Sequence, residues 1–423
     1  MTISSSLNAG VAGLNANAAR LASISDNIAN SATYGYRRAS TDFHSMVING
    51  SNPGSYTAGG VRASSTRLVD QGGSLVSTSN ATDLAVVGRG MLPVTSYAAA
   101  SSGGGSAPMM LTPTGSFRPD ADGLLRTSSD LVLLGWPLAA DGTLPSYPRD
   151  SSTALQPVRI PLNEYAGEAT TRVDVAVNLP ATSATAGTLG EIETVSVEYF
   201  GNLGNSESLS ITYEPAGENE WVVTVRDSAS GGGIIGNFRL QFDDSRGGGG
   251  RLLGVTGVPA GSYDAASGEI TLAVAGGPMT LGIGRTTQLG NEFAPLSINK
   301  DGYPVGTLSG VEVNDKGVVL ALYSNGSSRA LYQVPVVDVP NMNGLQAADA
   351  QAYTVSGDSG PFYLWNAGEG PTGSVRGFSR QESATDVAGE LTQLIQTQRA
   401  YSSNAKVIQT VDEMLQETTN IKR

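Results

Sequence analysis

Both ends of this chain carry a seven-residue hydrophobic repeat, and that repeat limits the folds open to it. Ile3, Leu7, Val11, Leu14, Ala18, Leu21, Ser25 and Ile28 follow one another in steps of three and four, the spacing of a heptad seam along one side of a helix. Gly10 and Gly13 each weaken such a helix by about 1 kcal/mol relative to Ala, so the segment is predicted to need a partner along its seam. The far end repeats the pattern through Val387, Leu391, Leu394, Gln398, Tyr401, Ala405, Ile408, Asp412 and Leu415. Ser383 followed by Asp386 predicts a capped helix start there. Helices over 5–29 and 383–418 would run about 37 Å and about 54 Å. Two matched seams predict that the termini pair and that everything between them is an insertion. Two separate amphipathic helices on a globular core are the alternative that the repeat leaves open.

Between the ends the pattern is that of strands. Short β-type runs lie at 85–87, 131–134, 173–177, 195–200, 209–213, 221–225, 270–274, 318–323 and 334–339. Asp122-Gly123, Asp141-Gly142, Asp301-Gly302 and Asn325-Gly326 punctuate them as tight turns. Gly103–Gly105, Gly231–Gly233 and Gly247–Gly250 mark loop tips. No helical pattern of ten or more residues appears between about 70 and 375, which argues for antiparallel all-β domains rather than βαβ units. The predicted fold class is mainly β with α-helical termini: two nested antiparallel β domains inserted between N- and C-terminal coiled-coil helices. A Pro/Ser-rich stretch at 147–157 and a Gly-rich one at 276–290 are candidate boundaries.

Several kinds of chemistry are disfavoured. The net charge is −13, and the cations are 21 Arg and 4 Lys with no dense patch, so phosphate neutralisation, and with it nucleic-acid binding, is not expected. Cys is absent and His44 is the one histidine, which removes disulfides, thiolate sites and nearly all zinc sites. The longest mostly apolar run, 131–140, is half of the ~20 residues a membrane span needs. With Arg20 the first cation and no apolar core behind a charged start, no cleavable signal peptide is expected. Gly357-Asp358-Ser359-Gly360-Pro361 matches a serine-protease nucleophile loop, but its base could be only His44, which has no barrel-strand pattern around it. Asp120-Ala121-Asp122-Gly123 opens like a calcium loop yet has Ser129 where the ligating Glu is required, so a hairpin turn is expected. Gly88-Arg89-Gly90 and Gly282-Ile283-Gly284 lack the third Gly of a phosphate cradle. No catalytic, metal or cofactor residue is assigned.

Longer motifs point elsewhere. Ser6-Leu7-Asn8-Ala9-Gly10 through Ile24-Ser25-Asp26-Asn27-Ile28-Ala29-Asn30, continued by Thr33-Tyr34-Gly35-Tyr36-Arg37-Arg38, resembles the signature of the bacterial flagellar rod and hook family of axial proteins. Thr82-Asp83-Leu84-Ala85-Val86 and Gly115-Ser116-Phe117 are similar to two further patches of that family. Glu390-Leu391 through Gln398-Arg399-Ala400-Tyr401 and Asn404-Ala405 resemble its C-terminal helix. Asp301-Gly302-Tyr303-Pro304-Val305-Gly306 and Tyr323-Ser324-Asn325-Gly326 look like the hook members in particular. Arg376 to Glu382 departs from the family's usual Ser/Asn-rich approach to the last helix.

The resemblance implies a structural, non-enzymatic subunit of the flagellar hook that polymerises into a curved flexible tube and passes torque from rod to filament. A distal rod or hook-associated protein, or a secreted β-rich enzyme or adhesin, are the alternatives. Its implied partners are further copies of itself, the rod, hook-cap and hook–filament junction proteins, and the export apparatus. Its implied place is outside the cell, in the hook, without membrane insertion and without leader cleavage. The expected division is a helical inner-tube domain at 1–30 plus 383–423, an extended connection at 31–70 plus 371–382, an inner β domain at 71–147 plus 290–370, and an outer β domain at 148–289. The expected assembly seam is Leu7, Val11, Leu14, Leu21, Ile28, Val387, Leu391, Leu394, Tyr401, Ile408 and Leu415. The expected family-motif residues are Asp26, Asn27, Ile28, Asn30, Gly35, Tyr36 and Arg37.

Overall fold

A computed structural model describes residues 3–47, 58–102, 108–185, 188–259 and 261–421. The predicted loop tip at 103–105 lies outside these residues. The chain folds as two compact units. One comprises Met1–Leu162, Val311–Ala321 and Arg329–Arg423, and the other Asn163–Gly310 and Leu322–Ser328.

The first unit holds both terminal helices, Ile3–Ala29 and Val387–Ile421. They lie antiparallel: Gly10 sits against Ile408, Gly13 against Asn404, and Asn27 bonds to Glu390. On the N-terminal helix the face that closes this pair is not the apolar seam, although Ile408 of the C-terminal seam packs against it. Gly10, Gly13, Asn17, Ile24 and Asn27 are buried, and they form a heptad one residue ahead of it, turned by about 100°. A Cβ on Gly13 would stand 2.9 Å from the Asn404 amide, so the two glycines read as helix weakeners are points where side chains of the C-terminal helix reach the backbone of the first. On a second flank the hairpin Ala39–Ser45/Val61–Arg67 packs. There Ser23 Oγ and Thr41 Oγ1 share a 2.6 Å hydrogen bond, and Gly60 lies against Ala12. The C-terminal helix begins four residues later than expected. Its cap is Asp386, whose carboxylate accepts the Ala388 N–H at 3.2 Å, while Ser383 serves only the turn before it, accepting from the Thr385 N–H at 3.3 Å.

The β part of the first unit centres on Asp83–Val87, flanked by Thr114–Ser116 and Ser374–Arg376. Two of the quoted sequence patches are therefore neighbouring strands. Asp83 ties them further: its carboxylate accepts from Ser116 Oγ and Asn80 Nδ2, each at 2.6 Å. Asp120 accepts the Asp122 and Leu124 N–H groups at 3.0 and 2.9 Å, so the calcium-like sequence is a hairpin turn. Ser359 is buried, its hydroxyl donating to the carbonyls of Ser356 and Gly360. His44 bonds Ser64 instead.

In the second unit five strands run as an antiparallel meander: Glu193–Phe200, Ser206–Gly217, Glu220–Asp227, Gly233–Phe242 and Leu252–Thr256. Alternate residues, among them Val197, Ile211, Trp221, Val223, Phe238 and Leu240, point into one core. Val173, Val175, Val177 and Leu179 of Arg172–Pro180 cover that core from a second sheet. This second sheet corrects the purely antiparallel expectation. Arg172–Pro180 pairs antiparallel with Ala294–Lys300 but parallel with Gly277–Gly282 and Thr287–Leu289. A parallel pair needs a long crossover, and the intervening meander supplies one. The Asp301-Gly302 pair closes the edge of this sheet. The Asp301 carboxylate accepts from Thr171 N, Thr171 Oγ1 and Arg172 N at 2.9, 2.6 and 3.0 Å. A Cβ on Gly302 would collide with Thr170, 2.1 Å away.

Candidate assembly site on the terminal helices

The predicted seam is only partly covered in the single chain. Val11 is 43% exposed, Val387 39%, Leu391 46%, Tyr401 40% and Leu415 40%. Leu7, Leu14, Leu21, Ile28, Leu394 and Ile408 are half-buried. Ile395, Val407 and Met414 are exposed too, and periodicity missed them because they flank the heptad positions. Large aliphatic side chains thus stay exposed along both helices, while Gly10, Gly13 and Asn27 of the first meet Ile408, Asn404 and Glu390 of the other.

The family-motif residues lie where the helices meet the β part, and the structure brings most of them together. Asn27, 1% exposed, makes four bonds. Its Nδ2 donates to Ala39 O at 2.8 Å and to Glu390 Oε1 at 3.0 Å, and its Oδ1 accepts from Ala39 N at 2.8 Å and from the Tyr36 hydroxyl at 3.1 Å. Tyr36 also donates to Asp26 at 2.8 Å. The Arg67 guanidinium lies over the Tyr36 ring at 5.1 Å, 3.6 Å from Asp26, and bonds Arg37 O at 2.8 Å. Asn30 folds back onto Asp26, donating to its carbonyl at 2.9 Å and closing the helix end. Gly35 adopts φ +75°, donates its N–H to Gln381 O at 2.7 Å, and has Thr114 where a Cβ would go, so Gly is required there. Arg37 is buried beside Gly72, whose missing side chain leaves it room. Burial lowers its guanidinium from the ordinary value, with Tyr353 and Asp70 opposing the shift. Ile28 stands apart from this network, on the open strip.

Sequence reasoning did not assign Glu390 or Arg67 to the site. Glu390 is 2% exposed, with Arg38 at 3.8 Å as its cation. An acid in a first helical turn normally meets the helix dipole, and nothing local shows that this one is buried by residues from the other end of the chain.

Burial, then the hydrogen bond to Asp26, push the Tyr36 hydroxyl from 10.0 up to about 12. The unfolded chain releases this proton first. The stability it contributes is therefore complete below pH 10.0 and lost as pH rises toward about 12. The urea midpoint of the native chain should fall over that window, and Tyr36→Phe should flatten that part of the profile. Equal slopes in the two proteins would show that Tyr36 does not link the junction to pH.

Among the described residues no group of three or more His, Cys, Asp or Glu is placed to hold a metal ion. No helix among them is long and apolar enough to cross a membrane. What the arrangement offers is a braced pair of helices with an unburied apolar strip.

Comparison with known proteins agrees with that geometry. Residues 378–421 match the family model of the flagellar basal body rod FlgEFG protein C-terminal region. The chain is 31% identical over 424 residues to the flagellar hook protein FlgE of Rhizobium meliloti (strain 1021) and 32% identical over 428 residues to that of Brucella suis biovar 1 (strain 1330), covering 100% of each chain in both cases. Its fold is similar to the crystal structure of Helicobacter pylori flagellar hook protein FlgE2, with a TM-score of 0.50 and 14% identity over 73% of this chain and 99% of that one. Two terminal helices on a mainly β chain, with a C-terminal segment that matches the basal-body rod family model, point to the class of flagellar rod and hook proteins. Within that class, full-length identity above 30% decides the family: the chain belongs to the flagellar hook protein FlgE family.

Proposed function

We propose that the chain is a structural subunit of the bacterial flagellar hook, polymerising into a curved flexible tube that transmits torque from rod to filament. The observation that carries this reading is the open aliphatic strip on helices that are already paired. A helix pair that still exposes Val11, Leu391, Ile395, Val407 and Met414 has apolar area to bury, and burial in water contributes about 25 cal/mol per Å². Further copies of the chain supply that surface, and repeated contacts that do not close give a helical filament. In this reading 1–30 and 383–423 form the inner tube as a coiled coil. Residues 31–70 and 371–382 connect it to an inner β domain at 71–147 and 290–370, with 148–289 outermost. The subunit meets rod, hook-cap and hook–filament junction proteins at the tube's ends, is exported without leader cleavage, and works outside the cell without catalysis.

Electron microscopy of the concentrated purified protein tests the reading. Hollow tubes of uniform width are expected. A chain that stays monomeric at every concentration and salt condition would sink it.

A further inference from the structure

We propose that Arg37, Gln381 and Gly72 of the first unit form a binding site for a small oxyanion of the phosphate class. Arg37 is 6% exposed, and among the described residues it is the one buried arginine. Its side chain has no hydrogen bond and no ion pair among those residues, and its Nε is fully enclosed. Arg62, Arg159, Arg376 and Arg399 also lack an ion pair among the described residues, but all four are exposed, so water takes their charge. Burial denies Arg37 that remedy.

A buried charge without a partner is strongly unfavourable. A buried lysine can shed its proton, whereas a guanidinium keeps it, so an anion is the remedy left. The donors for one converge. The point where a Cβ would stand on Gly72 lies 2.5 Å from Arg37 Nη1 and 2.5 Å from Gln381 Nε2. Two donating nitrogens thus flank one spot, and Gly72 itself is exposed, so the spot opens to solvent. Gln381 is 7% exposed and is fixed by its backbone: its N–H donates to Thr114 Oγ1 at 3.2 Å, and its carbonyl accepts from Gly35 N at 2.7 Å. An oxyanion accepts from guanidinium and amide N–H groups alike, and its charge strengthens both bonds.

The acids of the junction leave this place to a free anion. Asp26 and Glu390 already face Arg67 and Arg38. Asp70 is close enough to favour the charged form of Arg37 but does not come within ion-pair distance. The turn that carries Asp70 is held, with Asp70 N donating to Asn343 Oδ1 at 3.1 Å and Gln71 N to Leu68 O at 3.3 Å. Tyr353 also favours the charged guanidinium, yet burial raises its own hydroxyl and keeps the proton on it. An anion over Gly72 would join the turn before Arg37, the loop before Leu75–Ser77 and the strand Ser379–Gln381, and would stabilise the first unit by mass action.

Inorganic phosphate, exchanged for chloride at constant ionic strength, tests this in the full-length chain. It should raise the melting temperature of the native protein along a saturating curve. Phosphate also stabilises folds in general by exclusion from their surfaces, so variants set the baseline. Gly72→Ala puts a methyl group on the spot between two flexible donor ends and should leave only the gradual rise that exclusion gives. Asp70→Asn removes a nearby like charge and should lower the phosphate midpoint roughly threefold. Gln381→Glu supplies a carboxylate from the chain itself; it should raise the melting temperature in chloride and cancel the saturable response. A native rise no larger than that of Gly72→Ala, or a saturable response that survives Gln381→Glu, would overturn the inference. A large drop in the melting temperature of Asp70→Asn in chloride would do the same, because Asp70 would then be the partner of Arg37.

Discussion

Val11→Asp and Leu391→Asp should each abolish tube formation while the β units melt at the native temperature. Val11 is 43% exposed and Leu391 46%, so in the isolated chain an aspartate at either position keeps its water. Surface changes of that kind shift stability by about 0.5 kcal/mol or less. In a tube the same position would be covered by another copy, and an unpaired buried carboxylate costs several kcal/mol. That cost recurs in every subunit, so it multiplies along the polymer. Sedimentation with electron microscopy reads the loss of tubes, and scanning calorimetry reads the monomer. Tubes of normal length from either variant would remove the strip from the assembly surface. A monomer that melted many degrees lower would place the residue in a core instead.

The terminal helices separate what a heptad pattern carries from what it does not. The heptad is legible because period seven survives any rotation of the helix. The rotation itself is not legible, because it depends on which strip meets the intramolecular partner. On the N-terminal helix the small and polar strip does: Gly10 and Gly13 let the C-terminal helix approach, with Ile408 and Asn404 filling the space their side chains would take. On that helix the apolar strip, one residue on, is left for other contacts, with Val11 43% exposed. Strand positions with strict alternation, such as Val195, Val197 and Tyr199, were readable because every second side chain enters the core. The parallel pairing of Arg172–Pro180 was not, because strand direction is set by the connection and leaves no mark on the residues themselves. At the junction Asn27 and Tyr36 were visible as motif residues. Their partners Glu390 and Arg67 come from remote segments, and local spacing holds no record of that meeting.

Asn27→Ala is expected to have the opposite signature to the strip variants: it should loosen the monomer itself. The native side chain satisfies Ala39 through both its N–H and its C=O, at 2.8 Å each, and gives the buried Glu390 carboxylate a donor at 3.0 Å. Alanine leaves the Ala39 pair without this partner and Glu390, among the described residues, with Arg38 alone, 3.8 Å away. Unsatisfied buried groups cost about 1–3 kcal/mol each, and a weakened buried charge more, so about 3–5 kcal/mol of local stability should go. The first to open would be the start of the C-terminal helix, because Asn27–Glu390 is the bond nearest its capped end and the residues beyond it meet the other helix through small contacts at Asn404 and Ile408. At about 1.4 kcal/mol per tenfold, amide exchange over the first three turns of that helix should accelerate by roughly 100-fold or more, while the second unit's meander keeps its native protection. Asn27→Asp should not rescue it, since a carboxylate there would face both Asp26 and Glu390. Unchanged exchange in the alanine variant would mean that the helix pair is held by its length and not by this junction, and the family motif would then need another reason to place a buried amide at the end of the first helix.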